Sequence, residues 1–134
     1  MALQFSVAVQ NALLDAIETA NGTAAQLRFY TGAAPANCAA SEVGTLLVTM
    51  SLPTDYEAAA SGGTKAKSGA WTGTAVASGV AGHFRMMDSA GTTCHRQGSV
   101  SLPGGGGDLT LDNTNIAVNQ VVTQASWTET AGNA

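Results

Sequence analysis

His83, Cys94, His95 and Cys38 are the residue types that hold transition metals. Structural zinc needs four converging ligands, usually delivered by short paired spacings such as Cys-x-x-Cys. No such pair occurs, and the adjacent Cys94 and His95 would leave opposite faces of a strand. The expectation is a small buried Cys94, an exposed sheet His95 and no metal site. Gly104-Gly105-Gly106-Gly107-Asp108 invites a phosphate loop, but Asp108 stands where Lys and then Ser or Thr are needed. A calcium-binding β-roll needs a recurring nonapeptide, and this motif does not recur. Asp108, Asp112, Asn113 and Asn115 are rich in oxygen but lack the order of an EF-hand loop, so turn capping is their expected use. For hydrolysis, no Gly-x-Ser-x-Gly elbow is present. Asp55 and Glu57 are a conceivable carboxylate pair for glycoside cleavage, yet only Tyr56 lies nearby to stack on a sugar. Trp71 and Trp127 are expected as core or interface anchors. The last two dozen residues contain no Lys, Arg, His or Cys. The chain is therefore expected to be no enzyme, with no cofactor and no small-molecule substrate.

The elements around these residues are short. From Ser6 to Ala20, Val9, Leu13, Ile17 and Ala20 recur at steps of four and three, with Phe5 just before them. Ala12 and Ala16 widen the stripe, Ser6 suits the N-cap, and Asn21-Gly22 suits a helix end. The stripe predicts packing on the domain or on a neighbouring subunit, and Phe5, Val9, Leu13 and Ile17 are the candidate partner-binding residues. Asn11, Asp15 and Glu18 lie opposite, on the side expected to meet water. Leu14 projects beside Gln10 and Asn21, off the stripe, as an exposed leucine or a second contact to a neighbour.

After Gly22 the period becomes two. Leu27, Phe29 and Thr31 alternate with Gln26, Arg28 and Tyr30; Leu46, Val48, Met50 and Leu52 alternate with Leu47, Thr49 and Ser51 up to Pro53. Tyr56 to Ala60 is compatible with a single helical turn. Trp71 marks a strand between Gly69 and Gly73. Residues 83–87 and 93–97 flank Asp88-Ser89-Ala90-Gly91 as a hairpin, and the last strands fall at 109–111 and 121–128. About seven or eight short strands with regular turn signals predict a mainly β fold, a β-sandwich or jelly-roll with one N-terminal amphipathic helix. The expected division is residues 1–22 as arm and helix and residues 23–134 as the β-sandwich domain.

Charged residues make up 10% of the chain, against about 25% in an average soluble domain. A surface so poor in charge suggests that neighbours cover much of it. The net charge is −4, and the basic residues Arg28, Lys65, Lys67, Arg85 and Arg96 are scattered. That excludes a nucleic-acid stripe, which needs clustered cations. No apolar run approaches a membrane span, and the N-terminus lacks the features of a signal peptide. Assembly in cytosol is expected, with Cys38 and Cys94 as free thiols; a disulfide between them is the alternative.

Several stretches carry a resemblance. Leu27-Arg28-Phe29-Tyr30-Thr31-Gly32-Ala33-Ala34-Pro35-Ala36-Asn37 and the run from Gly44 to Pro53 resemble small virion structural proteins of tailed bacteriophages. Gly82-His83-Phe84-Arg85 and the run from Leu111 to Ala117 add to it. The likeness lies in strand and turn texture and covers most of the chain after Gly22. It implies a capsid cement (decoration) protein of jelly-roll type in the virion, assembled in the bacterial host cytoplasm. The implied partners are the major capsid protein and copies of the chain itself, a trimer first. A tail, baseplate or fibre-attachment component is the competing placement. A carbohydrate-binding β-sandwich module is the competing class.

Overall fold

The helix forms where the stripe and caps predict it. In the computed structural model, which describes residues 3–131, α1 runs Val7–Asn21. Ser6 stays extended as its N-cap and accepts a hydrogen bond from the Val9 amide at 3.3 Å. Gly22 closes it at φ 82°, a left-handed value that suits glycine, and donates to the Glu18 carbonyl.

Outside α1 the regular structure of the described residues is β. A six-stranded sheet is built around β1 (Gln26–Thr31), β2 (Leu46–Ser51), β5 (Gly79–Met87) and β6 (Cys94–Ser101), in the order β2-β1-β5-β6. β7 (Leu109–Thr110) extends it past β6, and β8 (Asn115–Ile116) pairs with β5. Two ribbons complete the second layer: β3 (Thr64–Ala66) with β10 (Thr128–Thr130), and β4 (Thr72–Thr74) with β9 (Val121–Thr123). The architecture is mainly β and sandwich-like, with one N-terminal helix. The hairpin read at Asp88 to Gly91 is present as β5–β6. Its turn is held by the Asp88 carboxylate, which accepts from the Thr92 amide at 2.8 Å.

Two corrections to the alternation have a local cause. Phe29 pairs with Val48 and Tyr30 with Leu46, so Leu47 is an extra residue on β2. That bulge lets Leu47 and Val48 both be buried, although they are neighbours. On the other side of β1, Tyr30 pairs with His83 and Thr31 with Ala81, leaving Gly82 as the extra residue. A Cβ on Gly82 would collide with the Gly32 carbonyl, so only glycine allows this approach. The segment from Tyr56 to Ala60 is no helical turn. Tyr56 and Glu57 are both buried there, the Glu57 backbone pairs with Lys67 in an isolated antiparallel β-bridge, and the Tyr56 carbonyl accepts from Ser68 N and Trp71 Nε1.

The inner face of the main sheet carries Leu27, Phe29, Val48, Met50, Phe84 and Met86 into one core with Trp71, Trp127 and Tyr56. Trp127 meets Phe84 edge-on at 5.6 Å between centroids. Both tryptophans are core residues. The outer face is polar yet covered, because residues 32–45 fold across it. Arg85 donates to the Cys38 and Ala40 carbonyls at 2.7 and 3.0 Å, Gln97 donates to Pro35 O at 2.7 Å, and Arg28 pairs with Glu42 at 2.8 Å. His83 hydrogen-bonds Gly32 O through Nδ1 at 2.9 Å and stacks on Tyr30. The glycine run makes a short return. β7 pairs parallel to β6 after residues 102–108 only, where parallel neighbours usually need a connection of about a dozen residues. Asp108 pins it by accepting from the Ser99 amide and hydroxyl at 2.9 and 3.0 Å.

Candidate functional site

Of the two packings expected for the apolar stripe, the one on the domain itself is absent, because the helix turns that stripe outward. Its buried residues are Gln10, Leu14 and Asn21. Leu14, the residue off the stripe, is 2% exposed, whereas Val9 is 43% and Leu13 48% exposed. Phe5 is also exposed, and Ile17 is half-buried. The face expected to meet water is the one that docks. Asn11 Oδ1 accepts from the Gly63 amide at 2.9 Å, and Asp15 Oδ1 accepts from the Ala60 amide at 3.0 Å. Lys65 rises from β3 to meet Asp15 at 2.7 Å and Glu18 at 2.8 Å, and donates to Ala58 O at 2.9 Å. Asn21 Nδ2 caps the Met87 carbonyl at 3.1 Å.

The cause is hydrogen-bond demand. Residues 58–65 present amides, a carbonyl and an ammonium under the helix, and apolar side chains would leave those groups unpaired. The helix meets them with its polar face and adds Leu14 as an apolar plug. Its other stripe, with Val9 and Leu13 at its centre, is held outward. Leu3 and Val7 extend the exposed apolar surface before and across the first turn. Val76, Val80, Val118 and Val121 form a second exposed group on adjoining segments, joined by the Asn119 N to Ala75 O and Val118 N to Ser78 Oγ hydrogen bonds.

The Lys65 cluster is electrostatic and shows no poised nucleophile. The hydrogen bond from Lys65, then that from the Ala60 amide, hold the Asp15 carboxyl below its ordinary value. Burial alone would lower the Lys65 ammonium, but hydrogen bonds and charge from Asp15 and Glu18 outweigh it and raise the value. The lysine thus keeps its proton at neutral pH. Asp15 contributes stability above its unfolded value of 3.8, lost as pH falls through the lower folded value. Lys65 contributes below 10.5, and the contribution is lost as pH rises through the higher folded value. The tether is therefore expected to hold from about pH 5 to about pH 10 and to loosen beyond both limits. Hydrogen exchange at the Ala60 amide, corrected for intrinsic pH dependence, should lose protection below about pH 4. Constant protection would mean that the ion pairs do not anchor the helix.

A second cluster lies on the inner face. Arg96 Nη1 reaches Glu57 Oε1 at 2.9 Å and Glu129 Oε2 at 2.7 Å. Glu57 is fully buried and also accepts from Trp127 Nε1 at 3.1 Å. Asp55 borders a cleft of about 530 Å³ beside Lys65, whereas the Glu57 side chain has no exposed surface and is committed to Arg96 and Trp127. Cys38 and Cys94 are both free thiols, with Sγ atoms 2.9 Å apart. Cys94 is half-buried, not fully buried, and His95 is exposed. Among the described residues, no three of His, Cys, Asp and Glu come together as metal ligands. Asn113 accepts from the Asn115 amide at 3.0 Å in an Asx turn.

Comparison of the chain with protein-family models, curated proteins and solved structures returned no match.

Every basic side chain is engaged internally: Arg28 by Glu42, Lys65 by Asp15 and Glu18, Lys67 by Gly69 O, Arg85 by loop carbonyls and Arg96 by two glutamates. The sequence signal for Lys65 as a helix anchor was slight, because Lys65 and Lys67 at i, i+2 would share one strand face and nothing local says what that face meets. The acidic residues of α1 were equally visible, but nothing local says which element they face.

Proposed function

We propose that this chain is a structural virion protein of a tailed bacteriophage that binds the capsid shell as a cement protein. One observation carries the reading: an apolar helix stripe, with Val9 and Leu13 exposed, is held outward by hydrogen bonds and ion pairs on the helix's other face. Leaving such a stripe in water is unfavourable, and contiguous exposed apolar surface marks interaction sites. The resemblance of the β segments to small phage structural proteins supplies the partner class. The contact is the stripe of Phe5, Val9, Leu13 and Ile17 against the major capsid protein, with copies of the chain arranged as a trimer. With all five basic side chains satisfied internally, the binding energy comes from apolar burial and backbone hydrogen bonds.

The test uses empty shells of the encoding phage that lack this protein. Leu13→Asp should fold normally yet weaken shell binding by about 2 kcal/mol or more, roughly 30-fold. Bound wild type should survive 1 M salt, where screening shortens to about 3 Å. Undiminished binding by the variant would show that the stripe is not the contact. Wild type that ignores shells but binds isolated tails would move the protein to the tail. Sedimentation as a monomer at high concentration would remove the trimer.

A further inference from the structure

We infer that Cys38 and Cys94 are a disulfide-forming pair, closed by a mild disulfide oxidant into a bond that staples residues 32–45 to the β5–β6 hairpin. The two residues are 56 positions apart in sequence, and the fold brings their sulfurs to 2.9 Å. A covalent bond needs about 2.05 Å, so closure requires a small movement of two side chains. Both sides of the pair are already fixed. Arg85, 2% exposed, holds the Cys38 carbonyl at 2.7 Å and the Ala40 carbonyl at 3.0 Å. Gln97 holds the Pro35 carbonyl at 2.7 Å, and the Ala40 amide donates to Asn37 Oδ1 at 3.0 Å. Cys94 opens β6 opposite Met87 in the main sheet. Both thiols remain partly exposed, so a small oxidant can reach them. A shared metal ion would need further ligands, and among the described residues no third His, Cys, Asp or Glu joins the pair.

The chemistry is two thiol–disulfide exchanges. One protein thiolate attacks a sulfur of oxidised glutathione, forming a mixed disulfide and releasing one glutathione thiolate. The second protein thiolate then attacks the protein sulfur of that mixed disulfide and releases the second glutathione. The two protein thiols lose two electrons and two protons, and oxidised glutathione becomes two glutathione thiols. The bond closes a long sequence loop, the case in which the unfolded chain is most restricted. The inference does not depend on the virion proposal, since it concerns the isolated chain.

The full chain is treated with oxidised glutathione in mildly alkaline buffer, then digested without reductant and mapped by mass. The expected product is one linked peptide pair, Cys38 with Cys94, in a monomer lighter by two hydrogens. Its melting temperature should rise by about 5 °C or more and return when a reductant is added. Cys38→Ser and Cys94→Ser should show no such rise. Should either variant fail to fold, the wild-type peptide map and its reversal decide the matter alone. Separate glutathione adducts on the two cysteines, cross-links only between chains, two thiols still free, or a bond that does not raise the melting temperature would each overturn the inference.

Discussion

Arg96→Ala is expected to destabilise the chain by about 3–5 kcal/mol, because it leaves a buried carboxylate without its cation. Glu57 has no exposed side-chain surface, and its Oε1 depends on Arg96 at 2.9 Å and Trp127 Nε1 at 3.1 Å. Glu129, at 27% exposure, can turn to water when Arg96 is removed; Glu57 cannot. The guanidinium also lies 5.9 Å from the Trp127 ring centroid, so the change removes packing from the core. Urea melts of wild type and variant give the difference by linear extrapolation. The melting temperature should fall by roughly 10 °C or more for a chain of this size. Adding Glu57→Gln to Arg96→Ala should recover part of the loss, since a neutral amide needs no counter-charge. A loss under about 1 kcal/mol for Arg96→Ala would show that water reaches Glu57 and that the pair behaves as a surface bridge.

The parts of this fold that were legible in the sequence depend on neighbours in the chain. Helix α1 announces itself through Ser6, its four-and-three spacing and Gly22. The β5–β6 hairpin does so through Asp88 to Gly91. The parts that were not legible depend on partners far away. Leu47 is buried beside Val48 only because β1 skips it, which no pattern within β2 can express. Arg28, His83 and Arg85 lie on one polar sheet face. What covers His83 and Arg85 is the backbone of residues 32–45, whose carbonyls carry no side-chain signature, while Arg28 meets the Glu42 carboxylate. Glu57 and Arg96 find each other across two layers. The proposed contact residues Phe5, Val9, Leu13 and Ile17 stand out only by their spacing, and spacing says which residues share a face without saying what that face meets.

That ambiguity is resolved by a pair of adjacent substitutions. Leu14→Asp is expected to cost about 4 kcal/mol or more. Truncating a buried leucine to alanine alone costs about 2–5 kcal/mol, and a charge set in the same site adds desolvation. Leu14 is 2% exposed, between Gln10 and Asn21. Leu13→Asp, at a residue 48% exposed, should stay within about 0.5 kcal/mol. Hydrophobic periodicity alone predicts the reverse order, because Leu13 sits on the stripe and Leu14 does not. Urea melts of the two variants, read beside far-UV circular dichroism, separate the alternatives. The reverse order would mean that the helix rolls its apolar face inward, and the outward stripe would vanish as a docking surface. Equal, small effects would mean that α1 detaches without unfolding the sheet. The Ala60 amide would then lose protection in both variants while the amides of β1 and β5 kept theirs. With the expected order, Leu13→Asp becomes the clean reagent for shell binding, since it changes the outward face and leaves the fold intact.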